Sequence, residues 1–191
     1  MDSRDILGIV ATLIAFISYI PYVWTIFTGK TKPHGFSWMV FALLMFIAFA
    51  AQVSDHAGAG AWVTGFSAAV CLLIAGLSLI KGTFKPTLSD WWAFGGSLAA
   101  IPIWMATDNP VYAVILITII DMMAFYPTFR KAYFFPHEEL LFTYLLSGVK
   151  FVLAFIALEN ITLTTALYPV SLIVMNWIFM AVILWRRKTT S

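Results

Sequence analysis

Seven apolar stretches, each close to the roughly 20 residues that cross a bilayer core, account for most of this 191-residue chain. They run over about 5–28, 36–54, 60–80, 90–106, 110–130, 138–158 and 162–185, the fourth being short and holding Pro102. The segments between them are tight, such as Gly29 to His34, Ser54 to Gly58 and Thr107-Asp108-Asn109. Only 10% of residues are charged, against roughly 25% in a soluble domain, so the chain cannot clothe itself in a polar surface. The expectation is an all-α integral membrane protein with seven transmembrane helices. A net charge of +2 gives no footing for nucleic acid. The single cysteine, Cys71, lies within an apolar run and excludes an intrachain disulfide. No His, Cys, Asp and Glu cluster has metal-ligand spacing, and there is no Ser/His/Asp set, phosphate loop or redox cysteine pair. The expectation is therefore a protein that is not an enzyme and carries no cofactor and no metal.

Lys and Arg placement orients the spans. With the N-terminus outside, the inner loops hold Lys30, Lys32, Lys81, Lys85, Arg130, Lys131, Arg186, Arg187 and Lys188, and the outer side holds only Arg4. The sequence thus predicts N-outside, C-inside. Asp2, Arg4 and Asp5 precede the first span and no small-residue cleavage site follows it, so it reads as a retained helix. Trp24, Trp38, Trp62, Trp91, Trp92, Trp104 and Trp185 fall near span ends, as an aromatic belt at headgroup depth requires. Trp177 lies deeper. Ser37 is read as a cap for the second span, and His34 and His137 as solvated loop residues.

The chain also repeats itself. Ile17-Ser18-Tyr19-Ile20-Pro21 parallels Met123-Ala124-Phe125-Tyr126-Pro127, and each Pro precedes a basic loop that reaches Pro33-His34 or Pro136-His137. Phe41 and Leu43 match Tyr144 and Leu146. This predicts three helices, one inverting linker helix and three more (3+1+3): a first triple-helix bundle over 1–81, a linker region over 82–109 and a second bundle over 110–191. An odd linker makes the two triplets parallel, a plan found among transporters.

The prolines near the inner end of each first helix resemble the Pro-Gln motif of PQ-loop proteins and of SWEET and SemiSWEET sugar transporters. Pro127-Thr128-Phe129 resembles the Pro-Thr-Phe form, and Gly29-Lys30-Thr31 with Gly35-Phe36-Ser37 resembles the loop and second-helix start of that group. Tyr22 and Thr128 stand where the Gln would be, and Glu138-Glu139 replaces the second Gly-x-Ser start. The resemblance implies alternating access hinged at Pro21 and Pro127. It also implies a solute site that includes Asn176 and its neighbour Trp177.

Two charges interrupt the apolar spans. Asp121 lies about nine residues from Arg130, Lys150 about twelve from Glu138, and Asn176 about ten from Arg186, which puts all three about 14–18 Å deep. An ionisable residue at that depth marks a functional site or pairs with another charge. Helical spacing aligns Thr118, Asp121 and Phe125, and likewise Thr143, Ser147 and Lys150. The matching positions of the first triplet are apolar: Ala15, Ile47 and Leu72. The fold does not need the charges. They are either a register-fixing ion pair or a site in which Lys150 holds an anionic group and Asp121 exchanges a proton, with Ser18, Pro21 and Thr25 facing it from the first triplet. The expected partners are a small polar solute and the lipid bilayer, with a homo-oligomer open, and the expected location is a bacterial inner membrane. A ligand-binding receptor, an architecture shared with the KDEL-receptor type, or an accessory subunit of a membrane complex remains the alternative.

Overall fold

A computed structural model describes residues 2–138 and 141–189, without the side chains of Pro127, Thr128, Lys131 and Glu138. The side chains of Pro127, the second half of the predicted hinge pair, of Thr128 and of Glu138 therefore lie outside what is described, as does Glu139 entirely. Helices cover all seven apolar stretches: α1 (Ser3–Phe27), α2 (Gly35–Ser54), α3 (Trp62–Lys81), α4 (Leu88–Thr107), α5 (Pro110–Phe134), α6 (Leu141–Ile156) and α7 (Leu163–Thr189). Short 3-10 turns at Gly58–Ala61 and Pro136–Glu138 lead into α3 and α6. The protein is all-helical, and Ser3–Phe27, Gly35–Ser54, Gly58–Lys81 and Leu163–Thr189 are long and apolar enough to cross a membrane.

The helix ends follow from local chemistry. At α1 the Asp2 carboxylate accepts from Ser3 N–H at 2.6 Å while Asp5 accepts from Asp2 N–H, a reciprocal capping box. At α4 Thr87 and Asp90 do the same, with Thr87 N–H donating to Asp90 at 2.8 Å. Thr87→Ala is expected to cost about 1 kcal/mol, read as a lower thermal unfolding midpoint in detergent. Between α4 and α5, Asp108 adopts φ +49°, Asn109 accepts from Val111 N–H, and Pro110 starts the next helix.

Ser37 does not cap α2. That helix begins at Gly35 with His34 as its N-cap and no side-chain cap bond. Ser37 instead bonds the His34 ring at 2.9 Å and donates to Asp90 on α4. The His34 ring also meets the Lys85 carbonyl at 2.9 Å, so this histidine ties the α1–α2 loop to the segment before α4 and is not simply solvated.

Helix packing is repeated. Within the first triplet α3 packs against both α1 and α2, and α1 and α2 make little contact with each other; α7 relates to α5 and α6 in the same way. Between the triplets α1 lies on α6, and α2 lies on α5. Helix α4 packs on α2 and α5. Small residues allow the close approaches. Gly8, Ala11 and Ala15 form the buried stripe of α1, and a Cβ on Gly8 would stand 2.8 Å from the Ala59 carbonyl oxygen. Membrane helices gain most from such backbone proximity, because lipid removes the hydrophobic drive for them to associate.

Candidate functional site

Asp121, Lys150 and Asn176 are all buried, at 3%, 2% and 4% exposure. No ion pair joins Asp121 to Lys150, and no hydrogen bond reaches the Asp121 carboxylate from any described residue. The register-fixing ion pair is thus absent. The Lys150 ammonium instead lies over the Tyr19 ring at 4.7 Å and near the Phe151 ring at 5.1 Å. Such cation–π contacts partly replace lost hydration.

Tyr19 is the hub of the arrangement. Ser67 and Cys71 of α3 lie beside its hydroxyl, and Asp121 acts electrostatically on Tyr19, on Cys71 and on Tyr168 of α7. Lys150 also acts on Cys71. Both charges thus act on Cys71, and Lys150 alone is placed by a contact at Tyr19. The Tyr168 hydroxyl is buried and has no hydrogen-bond partner among the described residues, and the Ser67 hydroxyl is buried with only the Tyr19 hydroxyl beside it. Native interiors leave few such groups unpaired, since each costs about 1–3 kcal/mol. The cluster draws on α1 and α3 of one triplet and α5, α6 and α7 of the other.

Asn176 sits on the buried stripe Tyr168–Leu172–Asn176 of α7 and donates its amide N–H to the Leu172 carbonyl at 2.7 Å. Thr118, one turn before Asp121, donates to the Val114 carbonyl at 2.7 Å. Phe125 is half-buried, and its ring leads through Phe129 and Phe179 to Tyr144, joining α5, α7 and α6. Ser147 is half-buried one turn from Lys150, whereas Thr143 is exposed. Ser18 is half-buried and donates to the Ala15 carbonyl. Pro21 is exposed within an unbroken α1. Trp177 is 41% exposed and faces away from the buried stripe. It packs over Gly148 of α6, where an added Cβ would stand 2.9 Å from the indole Nε1.

One repeat correspondence is corrected. Leu72 is 62% exposed and cannot match the buried Asn176. The buried residue of α3 next to Leu72 is Cys71, so Cys71 takes the equivalent place. Sequence reasoning missed Tyr19, Ser67, Cys71 and Tyr168 as site members. The available signal was spacing: Ser67 and Cys71 stand four apart, and Tyr168 lies eight before Asn176.

A second polar layer lies at the end of the bundle that carries Asp55. Asn160 donates to the Asp55 carbonyl at 3.0 Å, Thr162 donates to the Asp55 carboxylate, and Glu159 N–H donates to the Ala57 carbonyl at 3.1 Å. Arg4 reaches the Glu159 carbonyl at 3.1 Å, and Gln52 donates to the Thr165 carbonyl at 3.1 Å. Each of these bonds crosses between the triplets. At the opposite end no described bond joins the two triplets: Arg186 reaches the Tyr133 carbonyl, Arg187 the Pro136 carbonyl and Lys81 the Phe27 carbonyl, while His34 and Ser37 bond to Lys85 and Asp90 of the linker region. Comparison with protein-family models, with curated proteins and with solved structures finds no match.

Proposed function

We propose that this protein is a transporter that moves a small polar solute across a membrane by alternating access, with its site at Asp121, Lys150 and Asn176. The reading places two parallel three-helix bundles around one inverting helix, N-outside and C-inside, in the manner of SWEET and PQ-loop proteins. The observation that carries it is the contrast between the two ends. Every described hydrogen bond between the triplets lies at the Asp55 end, and the polar cluster is sealed beneath it. A bundle whose described bonds join its halves at one end and not at the other is suited to rock about a central site.

The repeated packing supports the same reading, because α1 on α6 and α2 on α5 are equivalent interfaces that can exchange roles. Pro21 and Pro127 supply matched positions where a missing backbone donor lowers the cost of bending. Asp121, with no cation beside it among the described residues, is the group that carries a proton in a coupled cycle. The test is counterflow into proteoliposomes loaded in turn with sugars, amino acids, nucleosides and vitamins. Protein-dependent accumulation of one class is expected. Binding of a solute with no flux would replace the transporter with a receptor.

A further inference from the structure

We propose that the groove bounded by α2, α3 and α4 holds a phospholipid with an ethanolamine headgroup, one acyl chain lying in the groove and the headgroup seated between His56 and Glu159. This site shares no residue with the Asp121 cluster and stands apart from the transport reading.

The groove has a volume of about 760 Å³, within the range of about 300–1,000 Å³ usual for ligand sites. Its walls are apolar, with Phe46 of α2, Phe66 and Leu72 of α3 and Leu98 of α4 among them. A Cβ on Gly65 of α3 would stand 2.8 Å from Phe49 Cε2, so the bare glycine lets that ring settle onto α3. Along α2 the lining runs from Met39 to Phe49, which is about 15 Å at the helical rise and half of a bilayer core about 30 Å thick. The groove thus has the reach of one leaflet. It runs on into a second cleft of about 370 Å³ at the Asp55 end, because Phe49 and Trp62 line both. His56 and Glu159 line that cleft, and no hydrogen bond or ion pair from a described residue reaches the His56 ring or the Glu159 carboxylate. Gly58 makes room for the carboxylate, since a Cβ on it would collide with the Glu159 side chain.

Shape and charge together select the occupant. An apolar groove one leaflet long that ends in a carboxylate and an imidazole fits an amphiphile with an amine at its head. The acyl chain gains little by leaving other lipids, whose tails are as apolar as the groove, so the head decides which lipid stays. A primary ammonium can donate to Glu159 and lie against the exposed Trp62 ring, and the phosphate beside it can accept from His56. An anionic glycerol headgroup has no cation to offer the carboxylate, and a choline headgroup has no N–H to donate. His56 and Trp62 belong to the first triplet, whereas Glu159 follows α6 of the second. A bound headgroup therefore bridges the triplets at the end where their hydrogen bonds lie.

The experiment uses delipidated wild-type protein in detergent and native mass spectrometry with added phosphatidylethanolamine, phosphatidylcholine and phosphatidylglycerol of identical chains. Retention of the ethanolamine lipid at least about tenfold more tightly than either of the others is expected, the worth of one charge-assisted hydrogen bond. Glu159→Gln should remove that preference while leaving the backbone bonds of residue 159 to Ala57 and Arg4 in place. His56→Gly should weaken all three lipids alike, and φ +56° at this position suits glycine, so the backbone is not strained by the change. Ala69→Trp, at an exposed position that lines the groove, should displace the ethanolamine lipid. Equal retention of the three lipids by the wild type means an unselective lipid annulus and overturns the proposal, as does retention of none or a preference for the glycerol headgroup. An ethanolamine preference that survives Glu159→Gln also overturns it. A dimer that Ala69→Trp dissociates puts a second copy of the chain in the groove and does the same. The wild-type comparison of headgroups decides the matter even if a variant fails to fold.

Discussion

Replacing Lys150 by Met is expected to reduce solute uptake by at least about thirtyfold while leaving thermal stability unchanged or raised. The first half of this expectation comes from binding. A buried cation that meets a ligand charge typically costs about 2–5 kcal/mol when truncated, and about 1.4 kcal/mol is a factor of ten. The second half comes from the geometry. Breaking a buried ion pair would cost about 3–5 kcal/mol, because an unpaired charge is left behind. Asp121 and Lys150 form no such pair, so removing one does not orphan the other. Methionine keeps the length of the side chain and its contact with Tyr19 while removing the desolvation cost of the ammonium. Asp121→Asn should behave in parallel, with proton-coupled uptake abolished and the fold intact. Uptake assays and melting curves on the same preparations separate the two roles. Intact transport in both variants would remove these residues from the site, and a loss of several kcal/mol in stability would restore the ion-pair reading.

The second large effect is expected at Gly60. A Cβ there would stand 2.6 Å from Leu158 Cδ2, 2.7 Å from the Ala154 carbonyl oxygen and 2.8 Å from Leu158 N. Two of these three neighbours are backbone of α6 and the turn that follows it, which cannot rotate away. The same 3-10 turn is pressed from the other side, where Ala59 meets Gly8 of α1. Gly60→Leu therefore forces the Gly58–Ala61 turn off α6 and separates the triplets where their hydrogen bonds are concentrated. Overpacking of this kind costs about 1–3 kcal/mol. Gly95→Ala in α4 is the control, since nothing lies within 4 Å of its added Cβ. It should be neutral or stabilising by about 0.5–1 kcal/mol, because a helical glycine becomes an alanine. The expected result is a lower melting temperature and impaired transport for Gly60→Leu only. Equal behaviour of the two variants would mean that the Asp55 end is not a closed interface.

The helices were legible in the sequence because apolar run length and capping residues act locally. Thr87-Leu88-Ser89-Asp90 announces the start of α4 without reference to the rest of the chain. A shared depth was an expectation of the same local kind, since counting residues from a basic loop needs only the helical rise. Direction around each helix was not. In a bilayer the outward and inward faces are equally apolar, so the hydrophobic pattern does not say which of Cys71 and Leu72 faces in. That ambiguity displaced the third-helix correspondence by one residue. It also hid Tyr19 and Tyr168, which look like ordinary span aromatics until their neighbours are known. For Asp121 and Lys150 the sequence supplied a shared depth but no separation, and a shared depth suits an ion pair and two independent charges equally well.

The central claim, a buried site reached alternately from each side, has a built-in reporter. Cys71 is the single cysteine of the chain, is 1% exposed, and lies beside Tyr19 and within the influence of both Asp121 and Lys150. Protein oriented uniformly in sealed vesicles can be treated with a membrane-impermeant thiol reagent, added outside in one sample and trapped inside in another. Alternating access predicts that Cys71 is labelled from both sides. It also predicts that a transported solute slows labelling from both. Labelling from one side only, whatever solute is present, contradicts the account.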